Sequence, residues 1–161
     1  MEELAYQYQQ FKKSLTHLKR MYKRYQQALR EFGMVHTARN EEDYTAFRSA
    51  SIQAFECCYE LIWKLLKLIL KKQCSIEANS PRKVFNDSYA QGIIDETQMR
   101  MLVNMIDARN DIMYKYDEDR ADEIGKKIEA YIEVFEVLEA RCVQYTGADV
   151  TGTPKQPSLR V

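Results

Sequence analysis

Residues 4–32 read LAYQYQQFKKSLTHLKRMYKRYQQALREF, and within them Leu4, Tyr8, Phe11, Leu15, Leu18, Tyr22, Tyr25, Leu29 and Phe32 follow at alternating spacings of four and three. Only an α-helix gathers such positions onto one stripe, because 3.6 residues make a turn. Gly33 then offers a C-cap. At 1.5 Å per residue the helix runs about 45 Å, more than a short neighbour covers, so its apolar stripe calls for a second long helix. The C-terminal half supplies one: Ile124, Ile128, Tyr131, Phe135, Leu138 and Cys142 keep the same spacing. That pattern favours antiparallel packing of the two, crossing at about 20°.

Between these lie three further helices. Residues 33–43 are polar and read as a loop into a helix from about Tyr44 to Gln73. Phe47, Phe55, Tyr59, Ile62, Trp63, Leu66, Ile69 and Leu70 cover much of its girth, leaving Gln53, Glu56, Glu60, Lys64, Lys67 and Lys71 as one polar stripe. It should be the innermost helix, with the single tryptophan at the bundle centre. Asn79-Ser80-Pro81 starts a short helix that ends by Gly92. Asp95 and Gln98 form a capping box for a fourth helix, with Leu102, Met105, Ile106 and Met113 on its apolar side and an end expected near Asp117-Glu118-Asp119. The expectation is an all-α, up-and-down bundle of about five helices. One domain spans residues 1–143, and a Gly/Thr/Pro-containing tail without periodicity, residues 144–161, is expected to be disordered.

Composition narrows the function classes. In 161 residues, 24 basic side chains cancel 24 acidic ones, so no global charge draws the protein to nucleic acid or membranes. No apolar run reaches the roughly 18 residues of a membrane span, since Lys64 and Lys67 interrupt the best candidate, and the polar start has no signal-peptide core. Four cysteines and two histidines match neither a disulfide framework nor a zinc spacing. A soluble, cytoplasmic protein with reduced thiols, no metal and no cofactor is expected. Cys57 and Cys58 are expected as core thiols, and His17 and His36 as surface residues.

Charge is nevertheless unevenly spread. Leu4 to Arg30 holds seven basic residues, Lys12, Lys13, Lys19, Arg20, Lys23, Arg24 and Arg30, and no acidic one, with tyrosines 6, 8, 22 and 25 among them. Residues 117–139 hold nine acidic and three basic residues. Two readings compete: the first helix binds RNA through phosphate contacts and stacking, or it is neutralised by the fifth as they pack, which is the stronger. Arg109 falls beside the apolar stripe of its helix, three residues after Ile106, where a charge must be paired, meet another subunit or line a pocket. Glu56 and Glu60, one turn apart, could share a proton or a cation, but Lys64 a turn further on makes an ordinary Glu60–Lys64 pair the simpler expectation. Tyr116 would share Arg109's face if the helix continued that far, whereas Tyr114 is turned away.

Two segments carry a family resemblance. Arg48, Ile52-Gln53, Phe55-Glu56, Tyr59-Glu60 and Trp63-Lys64 follow an F-E-x-x-Y-E-x-x-W-K pattern, and Ala108-Arg109-Asn110 with Tyr116-Asp117-Glu118 follow A-R-N-x-x-x-H-x-Y-D-E. With Gly92-Ile93-Ile94-Asp95 between them, the chain from about Phe11 to Cys142 resembles the HEPN-domain proteins of the HepT type, also described as nucleotidyltransferase substrate-binding proteins. The resemblance implies a dimeric helical bundle paired with a small nucleotidyltransferase. Many such proteins are toxins whose R-x-x-x-x-H motif cleaves RNA without a metal, the partner serving as antitoxin. Here Tyr114 occupies the histidine position, and a phenol of ordinary pKa about 10 is a poor general base at pH 7. Tyr116 matches the tyrosine to which partner enzymes attach AMP, and equally could be a packed tyrosine. Asn110, Asp117 and Glu118 would support the motif. The resemblance thus implies a substrate-binding or regulatory partner of a nucleotidyltransferase, with RNA or a nucleotide as possible ligand; the alternative is an active metal-independent ribonuclease toxin held in check by that partner.

Overall fold

The computed structural model describes residues 2–114 and 117–147, the side chain of Tyr114 excepted. Five α-helices account for nearly all of them: α1 Glu2–Met34, α2 Ala38–Cys74, α3 Pro81–Ala90, α4 Glu96–Asp111 and α5 Glu118–Cys142. Short 3-10 turns follow α4 at Ile112–Tyr114 and α5 at Val143–Tyr145. No strand occurs among the described residues.

α1 runs antiparallel to α2. Lys72 meets Glu3 at one end (3.2 Å), Ser14 Oγ meets Cys58 Sγ midway (3.2 Å), and the Phe32 and Tyr44 rings lie 4.9 Å apart at the other. α5 is antiparallel to α1, placing Lys19 against Glu136 and Tyr25 against Gly125. It therefore runs parallel to α2, from Arg48–Asp122 to Phe55–Phe135. α3 docks on α2 through Phe85 on Tyr59, and Arg141 of α5 donates to the Ile93 carbonyl in the α3–α4 turn (3.0 Å). The core joins Phe11, Phe55, Phe85 and Phe135, all fully buried, and α2 contributes most to it.

The stripes on α1 and α5 pack as the spacing predicts, with one drift. Leu4 to Leu18 and Tyr25 are buried, but Ala28 replaces Leu29, which is 44% exposed. A straight helix slips about 20° per heptad against a 3.5-residue repeat, so late positions rotate out. Gly33 lies inside α1 rather than capping it. α2 starts six residues earlier than its apolar pattern: Thr37 has extended backbone and accepts from the Asn40 N–H, and the Asn40 side chain donates to the Val35 carbonyl (2.8 Å). The polar stretch is therefore a capped first turn rather than a loop.

Trp63 is not central. It is half-buried, with its indole N–H donating to Glu60 Oε2 (3.0 Å) and Lys67 beside its ring. A buried indole needs a partner for its N–H, and that requirement holds the ring at the polar edge of α2. Cys58 is buried as expected, while Cys57 is exposed, one residue further round the helix. The Asp95–Gln98 capping box forms in full. α4, however, stops at Asp111, well short of the Asp117-Glu118-Asp119 run, and Met113, beyond the stop, is 74% exposed instead of continuing the apolar side.

The expected neutralisation of α1 by α5 is made only in part, with Lys19 and Lys23 lining a groove that Glu129, Glu133 and Glu136 share. Lys19–Glu136, at 3.4 Å, is the one ion pair between them among the described residues. Glu118 and Asp122 turn instead to Arg48.

Candidate functional site

α2 acts as a spine that holds both ends of the corner between α4 and α5. At the α4 end, Arg109 reaches across to α2, one guanidinium nitrogen 3.0 Å from Glu56 Oε1 and its Nε 3.6 Å from Glu60 Oε1. The three side chains are each about one-third exposed, so the pair is wet enough for its attraction to be modest, about 1 kcal/mol. Arg109 Nε itself is buried and has no hydrogen-bond partner. Beneath this cluster lies Tyr59, whose phenol burial pushes up to about 12, with the Glu60 charge adding and Arg109 and Arg82 opposing. Lys64 is exposed and stays out of the cluster. The Glu60 carboxylate is turned toward Arg109 and the Trp63 N–H, so the expected Glu60–Lys64 pair is not made.

At the α5 end, Arg48 is the anchor. Its side chain is 4% exposed, and its Nη1 lies 2.7 Å from Asp122 Oδ1 and 3.4 Å from Glu118 Oε2. Tyr44 flanks it, with the guanidinium 5.5 Å from the ring centre. Burial works against the Arg48 charge, but hydrogen bonds to Asp122 and Glu118, reinforced by their charges, outweigh it and raise the pKa. Asp117 caps α5 by accepting from the Arg120 N–H (3.2 Å). Arg48 and Glu56 are eight residues apart on α2, a rise of about 12 Å. Two ion-pair clamps at that separation fix where the chain leaves α4 and where it enters α5.

The remaining motif positions fall in sequence between Arg109 and Glu118. The backbone of Tyr114 ends the 3-10 turn after α4; its side chain and the whole of Tyr116 lie outside the described residues. α4 stops at Asp111, so the condition for Arg109 and Tyr116 to share a face, a helix continuing that far, is not met. Asn110 is exposed. A groove of about 260 Å³ runs beside the corner, with Ala108 and Asp111 on one wall and Arg120, Glu123 and Lys127 on the other. Among the described residues no group of three or more His, Cys, Asp or Glu side chains could hold a metal ion, and no helix is long and apolar enough to cross a membrane.

The structure therefore brings Arg109, Glu56 and Glu60 together, leaves Lys64 and Asn110 apart, and gives Asp117 and Glu118 roles in starting α5. The sequence pattern includes Arg48 but assigns it no partner. A signal was present: Arg48 stands in four-three register with Ile52, Phe55, Tyr59, Ile62, Leu66 and Ile69, which makes it a charge on an apolar stripe.

Helix order and packing are those of a HEPN-like helical bundle. The fold is shared with a protein from Thermus thermophilus at TM-score 0.66 and 23% identity, covering 82% of this chain and 98% of that one. It is shared with a toxin–antitoxin structure containing AMP-PNP, at 0.61 and 19%, covering 82% and 96%. A tri-AMPylated Shewanella oneidensis HEPN toxin in complex with MNT antitoxin gives 0.60 and 20%, covering 81% and 94%. The chain belongs to the nucleotidyltransferase substrate binding protein like family, whose profile matches residues 6–144. No curated protein matches it in sequence.

Proposed function

We propose that this chain is the substrate-binding or regulatory partner of a small nucleotidyltransferase, with Tyr116 as an acceptor of AMP. The observation that carries this reading is the state of its motif: Arg109 is engaged by Glu56 and Glu60, and Tyr114 stands where the family pattern has the residue that titrates near neutral pH. A site without that residue lacks its general base, whereas AMP attachment asks only for an accessible phenol beside the partner's active centre. The Tyr116 oxygen would attack the α-phosphorus of ATP, the bond to the bridging oxygen would break, pyrophosphate would leave, and the phenol proton would pass to a base of the partner. Family membership and the likeness to a HEPN toxin in complex with MNT antitoxin support the choice of partner. We further propose a homodimer acting in the cytoplasm, where its four free thiols stay reduced, and a single domain over residues 1–143 followed by a tail.

Incubating the full chain with a nucleotidyltransferase encoded beside it and ATP should add the mass of adenylyl groups, and Tyr116→Phe should remove one of them. Unmodified protein under those conditions would defeat the reading. Light scattering should give twice the 19.0 kDa of one chain. The second reading, a metal-independent ribonuclease, rests on the retention of Arg109. It would be established by RNA cleavage in EDTA that Arg109→Ala abolishes.

A further inference from the structure

Six of the seven cations of α1 make no ion pair with the described acidic residues around them. Lys12, Lys13, Arg20, Lys23, Arg24 and Arg30 are all exposed, and no carboxylate of the described residues lies within salt-bridge distance of any of them. Only Lys19 makes an ion pair; Lys23 lines the same shallow groove as the exposed Glu129 and Glu133 of α5 without pairing to either. At 100° per residue the cations fall within an arc of about 140° opposite the buried stripe. From Lys12 to Arg30 they extend about 27 Å along the helix. On the α2 side they border a second groove, where Arg20, Lys23 and Arg24 face Phe47 and the Arg24 guanidinium lies 5.9 Å from the Phe47 ring centre. Asp43 and Glu31 line the same groove without pairing to these cations.

This face is separate from the motif corner. On α2, Cys58 touches α1 through Ser14, while Glu56 and Glu60 hold Arg109 of α4; two residues along a helix is a turn of about 200°, so α1 and the Arg109 cluster lie on opposite sides of α2.

We propose that the outer face of α1 is a binding strip for the phosphodiester backbone of nucleic acid, engaged without regard to base sequence. Like charges held on one face repel, and a polyanion relieves that repulsion along its whole length by displacing its own counterions. The linear spread of the cations fits a chain rather than a compact anion. Stacking contributes little: Tyr8 and Tyr25 are buried in the core, Tyr22 is half-buried, and only Tyr6 is freely exposed. Phosphate contacts therefore dominate, and affinity should depend steeply on salt. The inference stands independently of the role proposed for Tyr116.

The test is filter binding of a labelled, mixed-sequence single-stranded RNA, long enough to span the strip, to the full chain over a salt series. The variant Arg20→Glu/Lys23→Glu/Arg24→Glu should weaken binding at least tenfold. It should also flatten the slope of log K against log salt by about 2, at 0.7 per lost phosphate contact on a single strand. Lys12→Gln/Lys13→Gln/Arg30→Gln, which only neutralises, should weaken it as well, with the circular dichroism and melting of both variants matching the parent. Arg109→Ala should bind as the parent does. The proposal is overturned if the parent does not retain RNA, if both α1 variants bind undiminished, or if Arg109→Ala is the change that abolishes binding. It is equally overturned if polyglutamate competes as well as RNA at equal charge, since the face would then suit an acidic protein.

Discussion

On the proposed reading of the motif, Tyr114 sets what chemistry it can perform. A general acid–base group is typically worth 10² to 10⁴ in rate, so replacing histidine by a phenol should leave the parent inert in RNA cleavage. Tyr114→His should create metal-independent cleavage, and adding Arg109→Ala should remove it; a parent already as active as the revertant would show that the phenol suffices. Arg48 allows a different test. Its carboxylate partners, Glu118 and Asp122, are 65% and 42% exposed while it is 4% exposed. Arg48→Met leaves anions that water can solvate and should cost about 1–2 kcal/mol in urea unfolding, whereas Asp122→Ala leaves a buried cation short of a partner and should cost about 3 kcal/mol. The reverse order would mean that Arg48 matters chiefly for its packing.

At the scale of helices, the tightest glycine contact joins α5 to α1. A Cβ at Gly125 would lie 2.8 Å from Tyr25 Oη and 3.2 Å from its ring. Tyr25 is 5% exposed, so moving its ring aside would disturb the packing around it. Gly125→Ala should therefore destabilise by about 1–3 kcal/mol despite the roughly 1 kcal/mol gain in helix propensity. Tyr25→Phe in the same chain should recover part of that loss, and full additivity of the two changes would argue that the helices separate freely. Periodicity makes α1, α2 and α5 legible because each buries one long stripe, and the Asp95 capping box is legible because its signal is local. Neither rule foresees the stop of α4 at Asp111. The apolar spacing runs on to Met113, whereas α4 gives way to a 3-10 turn at Ile112 and α5 begins at Glu118 beside the Arg48 clamp. The same limit hid the site: Glu60–Lys64 is the local solution, but a longer-range partner, Arg109, takes the carboxylate.

For the molecule as a whole, buried acids that stay protonated in the fold should contribute to its alkaline limit. Burial pushes the Cys58 and Cys142 thiols from 9.0, and the Tyr59 phenol from 10.0, each up to about 12. The unfolded chain releases these protons at the ordinary values while the folded chain retains them. Their contribution is therefore intact below about pH 9 and is lost as pH rises toward 12, at about 1.4 kcal/mol per pH unit for each group within its window. Melting temperature should hold from pH 7 to 8.5 and then fall. Cys142→Ala should melt lower at neutral pH yet lose less between pH 9 and 11; a parallel decline would place the alkaline lability elsewhere. The position of Trp63 has one more consequence. As the sole tryptophan among eleven tyrosines, with its indole N–H on the carboxylate that also faces Arg109, it is a built-in optical reporter. Excited selectively at long wavelength, its emission should shift whenever a partner, a nucleotide or a substitution pulls Arg109 away from Glu60, so events at the corner can be followed in unlabelled protein.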